Sequence, residues 1–303
     1  MCGIAGYSLR PHSRLNRTLL AQTLLAGIAE RGADAVGYAY RGADCDEPTV
    51  AKQQTAASAL LDRIAVPPDA SELLVHVRDY TKGHPSIAAN NHPVLHGPIV
   101  GIHNGIILND DDLLAHHGCA RTEPGMTVDS EAIFAVAAHS RNNARALESL
   151  EGAMAAAWID RRQPDVVHLA RSTGRPLWLG ESAEGVFFAS TRNALGLLER
   201  YCVRRLRKRE LREGTLTALE RGRIVRRERF RTRAYVEEDP LPAVRAPEEG
   251  EFCLTRLAAI AAADYGGPTS EPSEPTSRPS SRRRCRIRNW NVAHAPRRDS
   301  NIR

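Results

Sequence analysis

The chain has 303 residues, 42% hydrophobic and 26% charged, which suits a globular protein with a sizeable core. No apolar run approaches the roughly 20 residues of a membrane span, and no basic segment followed by an apolar stretch opens the chain, so a cytoplasmic location is expected. The net charge of +6 does not mark a nucleic-acid-binding domain, because residues 266–303 hold nine Arg against three acidic residues, the whole of that excess.

In chain order, residues 2–9 (CGIAGYSL) read as a short apolar strand. Leu15 to Glu30 carries Leu19, Leu20, Leu24, Leu25 and Ile28 at helical spacing. Residues 31–34 form a turn, Ala35–Tyr40 a strand, Thr55–Ile64 a helix and Leu73–Arg78 a strand that ends on a charge. A long polar loop, Asp79 to Asn91, precedes two short strands at Val94–His96 and Ile99–His103. Asp110–His116 and Asp129–Ser140 read as helices, the second with Thr127 as its cap. From Gly152 the texture changes to strands at Ala153–Asp160, Val166–Ala170, Leu177–Gly180 and Val186–Ser190, then a helix at Arg192–Leu198. Further strands are expected at Cys202–Leu206, Thr215–Glu220 and Ile224–Phe230. Many strands joined by turns, with helices between blocks, predict an α+β protein of antiparallel sheets covered by helices. Residues 236–250, acidic and proline-containing, read as a linker, Phe252–Ala263 as a helix, and the Arg/Ser/Pro-rich stretch from 266 as a disordered tail.

Six cysteines (Cys2, Cys45, Cys119, Cys202, Cys253 and Cys285) are scattered without a C-x-x-C pair, which indicates neither a zinc site nor a disulfide framework. Cys2 stands apart because only Met1 precedes it. If Met1 is trimmed, one Cα carries both a thiol, ordinarily titrating near ~8.5, and an α-amine titrating near ~8. Such an amine can serve as the base that activates its own nucleophile. Cys2 alone is weak evidence, since a cysteine can follow Met by chance.

Downstream segments decide the matter. Met1-Cys2-Gly3-Ile4-Ala5-Gly6-Tyr7 resembles the start of class II glutamine amidotransferase domains, which belong to the N-terminal-nucleophile hydrolases. Glu30 to Gly37 resembles the family's R-G-x-D-[SA]-x-G turn, and His76 to Gly83 its H-x-R-x-x-T-x-G segment. Asn91-His92-Pro93 is similar to its N-x-H-P run, His103-Asn104-Gly105-Ile106-Ile107 to H-N-G-x-I, and Thr127 to Glu131 to its T-D-[ST]-E helix start. The resemblance spans roughly residues 2 to 230 and lies in the order of the segments, each weak alone. It departs from some members at Lys82, where they carry histidine, and at Asp79, where they carry an aromatic.

The resemblance implies a four-layer αββα sandwich, with a domain over 2–235; composition adds a linker with a possible short helix over 236–265 and a disordered tail over 266–303. The resemblance assigns Cys2 as nucleophile. Arg78 would bind the substrate carboxylate through its planar fork; otherwise it is a surface arginine at a strand end. Asp129 would pair with the substrate ammonium; otherwise it caps a helix. Asn104 and Gly105 would donate to the oxyanion, against the alternative of a plain hairpin turn. Thr81 and Gly83 would seat the substrate, while Arg31 and Asp34 would tie the turn beneath the nucleophile strand. His76, His92 and His103 are expected to be structural rather than metal ligands or a Cys–His dyad, and no metal or organic cofactor is implied.

Three functional readings stand. One is a glutaminase that converts L-glutamine to glutamate and ammonia through a Cys2 γ-glutamyl thioester and passes ammonia to a separate synthase. This last point follows because the roughly 70 residues after Phe230 fit no second catalytic domain. The second is a stand-alone amidohydrolase acting on a γ-glutamyl compound. The third is a non-catalytic glutamine-binding or scaffolding protein. No membrane or nucleic-acid partner is expected.

Overall fold

A computed structural model describes residues 2–42, 47–237 and 242–266. Seven strands form one antiparallel sheet: β1 (Gly3–Leu9), β2 (Ala35–Arg41), β3 (Thr49–Gln53), β4 (Glu72–Arg78), β9 (Trp178–Glu181), β10 (Gly185–Ala189) and β11 (Arg207–Glu210). Their order is β11-β9-β10-β1-β4-β2-β3. The second antiparallel sheet contains β5 (Val94–His96), β6 (Ile99–Ile107), β7 (Gly152–Asp160), β8 (Val166–Arg171), β12 (Thr215–Glu220) and β13 (Arg223–Arg229), in the order β13-β12-β8-β7-β6-β5.

Both faces of each sheet are covered. Between the sheets lies a core of Ile4, Leu74 and Phe188 from one and Ile102, Ala157 and Leu169 from the other. Outside the first sheet, helices α1 (Arg17–Ile28), α2 (Ala57–Leu61), α5 (Arg192–Tyr201) and α6 (Pro247–Gly266) close a second core around Tyr7, Val75 and Phe187. Outside the other, α3 (Asp110–His116) and α4 (Ser130–Ser140) close a third around Phe134, Met154 and Trp158. This is the expected four-layer αββα arrangement. It explains why β1 and β4, buried at every residue, show no strict apolar–polar alternation. The edge strands β11 (RKRE) and β13 (RIVRRER) are instead charged, which deters pairing with other chains. Among the described residues no helix is long and apolar enough to cross a membrane.

Several elements differ from expectation. No strand forms at Cys202–Leu206: α5 runs on to Tyr201, the Leu206 N–H donates to the Glu199 carboxylate at 2.6 Å, and the strand is the charged 207–210 segment instead. The sequence reading also missed β3, whose TVAKQ stretch is mostly half-buried, and the 3-10 turn at Ala144–Ser149. Helix α1 begins at Arg17, because Asn16 caps it by accepting the Leu19 N–H at 3.0 Å. The last helix starts at Pro247, a residue suited to a first helical turn. It packs against α1 and α2 through Cys253, Leu257 and Ala261, and Glu249 accepts both the N–H and the hydroxyl of Ser58. The expected disorder beyond Gly266 lies outside the described residues.

Candidate active site

Cys2 enters β1, a central strand of the first sheet, and β4 pairs beside it. Gly3 faces Val77 in the register, so the chain start and Arg78 share one end of the sheet. The Cys2 Sγ lies 3.4 Å from the Asp79 carbonyl oxygen, and the Cys2 carbonyl accepts the Arg31 Nε–H at 3.4 Å. Burial raises the thiol above its ordinary value, opposed by the Asp79 backbone and the Arg78 charge. Asp34 accepts the Tyr80 N–H at 2.9 Å, while its own N–H donates to the Arg78 carbonyl at 3.0 Å. Arg31 and Asp34 therefore tie the 29–34 turn to the two backbone segments that flank the thiol.

Arg78 is 2% exposed, so it is no surface arginine. Its Nη1 donates to Asn91 Oδ1 at 2.6 Å, and its Nη2 to the carbonyls of Lys82, at 2.9 Å, and Gly83. The 79–91 loop thus wraps the guanidinium. Gly83 permits this with φ +81, where a Cβ would come within 2.9 Å of the Asn90 side chain. Asn90 Oδ1 accepts the N–H groups of Thr127 and Val128 at 2.7 and 3.1 Å, and Asn91 donates to Pro85 O at 2.7 Å. Lys82 reaches Asp110 at 2.6 Å. Thr81 is exposed on the same loop. Asn90 and the Lys82–Asp110 pair were not singled out by the sequence reading; the only signal was a polar loop crowded with amides.

On the other sheet, β6 runs through Asn104 and Gly105, which face Ala155 and Met154 of β7. His-Asn-Gly is therefore interior strand, not a hairpin turn, and the expected end of the strand at His103 falls four residues short. Gly105 adopts φ +147, and a Cβ there would lie 1.9 Å from the Ala153 carbonyl oxygen, so only glycine fits. Asn104 is fully buried, yet neither polar atom of its amide has a hydrogen-bond partner among the described residues. Strand β6 packs across β1 and β4, and His76 Nε2 bridges the sheets to the His103 carbonyl at 3.0 Å.

Asp129 is 3% exposed and its carboxylate accepts the Ile107 N–H at 2.7 Å, anchoring the end of β6. It stands at the cap position of α4 without capping it, and Thr127 is not the cap expected from the sequence. Burial raises the Asp129 carboxyl to about 6. Burial lowers the Arg78 guanidinium from its ordinary value, opposed by the charges of Cys2 and Asp129.

The three histidines form a buried cluster. His76 stacks on His92 at 4.2 Å, and His103 Nδ1 bonds the Ser130 hydroxyl at 2.9 Å. Burial lowers His76 and His103 to about 3 and His92 well below its ordinary value, so all three are neutral at working pH. Among the described residues no group of three or more His, Cys, Asp or Glu side chains could hold a metal ion.

A family model described as a glutamine amidotransferase domain matches residues 82–196, which include Asn104, Gly105 and Asp129. The glutamine–fructose-6-phosphate aminotransferase (isomerizing) of Acidithiobacillus ferridurans is 33% identical over 210 residues, covering 64% of this chain and 32% of the relative. The enzyme of the same name from Escherichia coli K12 is 32% identical over 213 residues, with the same coverage. The chain therefore spans about a third of the length of the curated relatives it matches. In fold it resembles the glutamine phosphoribosylpyrophosphate amidotransferase of B. subtilis, with TM-score 0.60 and 17% identity, covering 75% of this chain and 49% of that one. The two-sheet fold is thus the Ntn-like one of that amidotransferase, and by sequence residues 82–196 match a glutamine amidotransferase domain.

Proposed function

We propose that this protein hydrolyses L-glutamine to glutamate and ammonia with Cys2 as its N-terminal nucleophile. The observation that carries this reading is the Asn104 amide, fully buried and without a partner among the described residues, on β6, the strand that packs across β1 and β4. An unsatisfied buried amide is costly, and it suits a donor whose acceptor forms only during reaction.

In the proposed mechanism, removal of Met1 frees the Cys2 amine. Asp129 pairs with the substrate ammonium and Arg78 with its carboxylate. One Arg78 Nη1 hydrogen and the Nε–H remain for that contact beside the bonds to the loop. Gly83 and Thr81 shape the loop over the substrate. Because burial keeps the thiol protonated, it loses its proton to the amine as it attacks the γ-carboxamide carbon. The Asn104 side chain and the Gly105 N–H hold the resulting oxyanion. The C–N bond then breaks, and ammonia leaves with the proton from the amine. Water cleaves the thioester, yielding glutamate and the free thiol. The ammonia is proposed to pass to a separate synthase, which copurification would identify.

Mass spectrometry of the protein with and without an electrophilic glutamine analogue tests the scheme. The expected result is a chain lacking Met1 and carrying one adduct, on Cys2, with glutamate release lost in step. A retained Met1, or labelling elsewhere, overturns it.

A further inference from the structure

The segment that leads into α6 returns to the rim of the site. The backbone N–H groups of Arg245 and Ala246 both donate to the Glu30 carbonyl, at 2.8 and 2.9 Å. Gly250 seats against the same residue so closely that a Cβ would come within 2.8 Å of the Glu30 Cβ. The neighbour of Glu30, Arg31, is the residue that donates to the Cys2 carbonyl. The Arg245 side chain goes the other way: its Nε lies 3.2 and 3.4 Å from the two carboxylate oxygens of Asp79, whose own carbonyl contacts the Cys2 thiol. One residue thus grips both backbone segments that hold the nucleophile, although it is remote from them in sequence.

We propose that Arg245 is a positioning residue for Cys2, fixing the 78–80 turn through the Asp79 carboxylate and the 29–31 turn through its backbone, and offsetting the Asp79 charge beside the thiol. The inference rests on Cys2 being the nucleophile. The charged groups that face Cys2 among the described residues are Arg78 and Asp79 at the end of β4 and Arg31 from the turn. Of these only Asp79 disfavours the thiolate, so its neutralisation by Arg245 bears directly on reactivity. The ion pair is partly exposed, with side-chain accessibilities of 38% for Arg245 and 15% for Asp79, and contributes little to folding. Its loss should be felt at the thiol more than in the melting temperature.

The test uses the full chain with Arg245→Met, Arg245→Lys and the double substitution Asp79→Asn/Arg245→Met. Cys2 alkylation by iodoacetamide is followed against pH, alongside kcat and KM for glutamine and thermal melting. Arg245→Met should slow alkylation at neutral pH and lower kcat by roughly two- to fivefold, the range a partly exposed ion pair can transmit. The alkylation profile should move to higher pH, with KM and melting unchanged. Arg245→Lys should restore most of the rate, and removing the Asp79 charge in the double variant should return the pH profile. If Arg245→Met reacts at the wild-type rate with the wild-type profile, the proposal is wrong. It is equally wrong if the double variant stays as slow as the single one. A wild-type chain that lacks Met1 yet resists the glutamine analogue at Cys2 overturns the functional reading itself, and the positioning role with it.

Discussion

On the seven-stranded sheet, Arg78 makes three hydrogen bonds to Asn91, Lys82 and Gly83, and Arg31 reaches the Cys2 carbonyl. On the six-stranded sheet, the Asn104 side-chain amide is just as deeply buried and has no partner among the described residues, while Asp129 keeps a carboxylate where burial disfavours its charge. On the first wall the Arg78 guanidinium is thus tied to its loop by named partners. The second holds polar groups at a cost to folding of roughly 1–3 kcal/mol for each unpaired group. Substitutions on the first wall should therefore lower stability and function together, and substitutions on the second should separate the two.

Cys2→Ala should have the largest effect on activity. Glutamate release should fall to background while melting is nearly unchanged, since among the described residues the thiol makes one long contact, to a carbonyl. Comparable turnover in the variant would dismiss Cys2 as the nucleophile. Asn104→Ala should lower kcat by about 10²–10³-fold, the usual consequence of deleting an oxyanion donor. Its melting temperature should hold or rise, because the amide has no partner to lose. A clear loss of stability without loss of kcat would place Asn104 in an ordinary packing role. Arg78→Ala should instead destabilise the protein by about 2–4 kcal/mol, leaving the Asn91 amide and two carbonyls unsatisfied, and should raise KM. Calorimetry and steady-state kinetics on the same preparations decide whether the walls differ as described.

The same contrast governs what could be read from the chain. Arg78 and Asp129 stand at element ends, a strand and a helix, where hydrophobic periodicity stops, and such boundaries are visible in sequence. Asn104 and Gly105 were harder: the Asn-Gly pair carries a turn signal, and only pairing with β7 keeps it in strand conformation. The bonds that fix Arg78 come from Asn91 and two backbone carbonyls of an irregular loop, for which no periodicity exists. Thr127 looked like a helix cap, but tertiary structure uses its N–H for Asn90. The 207–210 edge strand was hidden by its charges, and the more apolar residues just before it took its place in the reading. The Arg245–Asp79 contact joins residues 166 positions apart and leaves no local trace.

Asp129 offers a pH test of the second wall. Burial pushes its carboxyl up to about 6 in the folded protein, above the ordinary aspartate value of about 3.9. With the folded value raised, the stabilising contribution is full below about pH 4, where both states are protonated, and is lost as pH rises through 6. The shift of about two pKa units corresponds to something on the order of 3 kcal/mol. Asp129→Asn can still accept the Ile107 N–H, so it should match the wild type in stability near pH 3.5 and exceed it at pH 8. In the wild type, KM for glutamine should rise below about pH 6 as the ammonium partner is neutralised. A pH-independent difference between the two proteins would remove Asp129 as a buried charge.

Truncation after Ala263 should have the smallest effect. Cys253, Leu257 and Ala261, which bury α6 against α1, all precede the cut. So do Glu249 and Arg256, which bond Ser58 and Asp62, and Arg245 with its hold on Asp79. Every group that shapes either wall is therefore retained, and hydrolysis should stay within about twofold of the full chain, the scatter expected of changes outside a site. A truncated protein that melts normally but has lost activity would mean that residues beyond 263 act at the site, and the contrast between the two walls would then be an incomplete account of it.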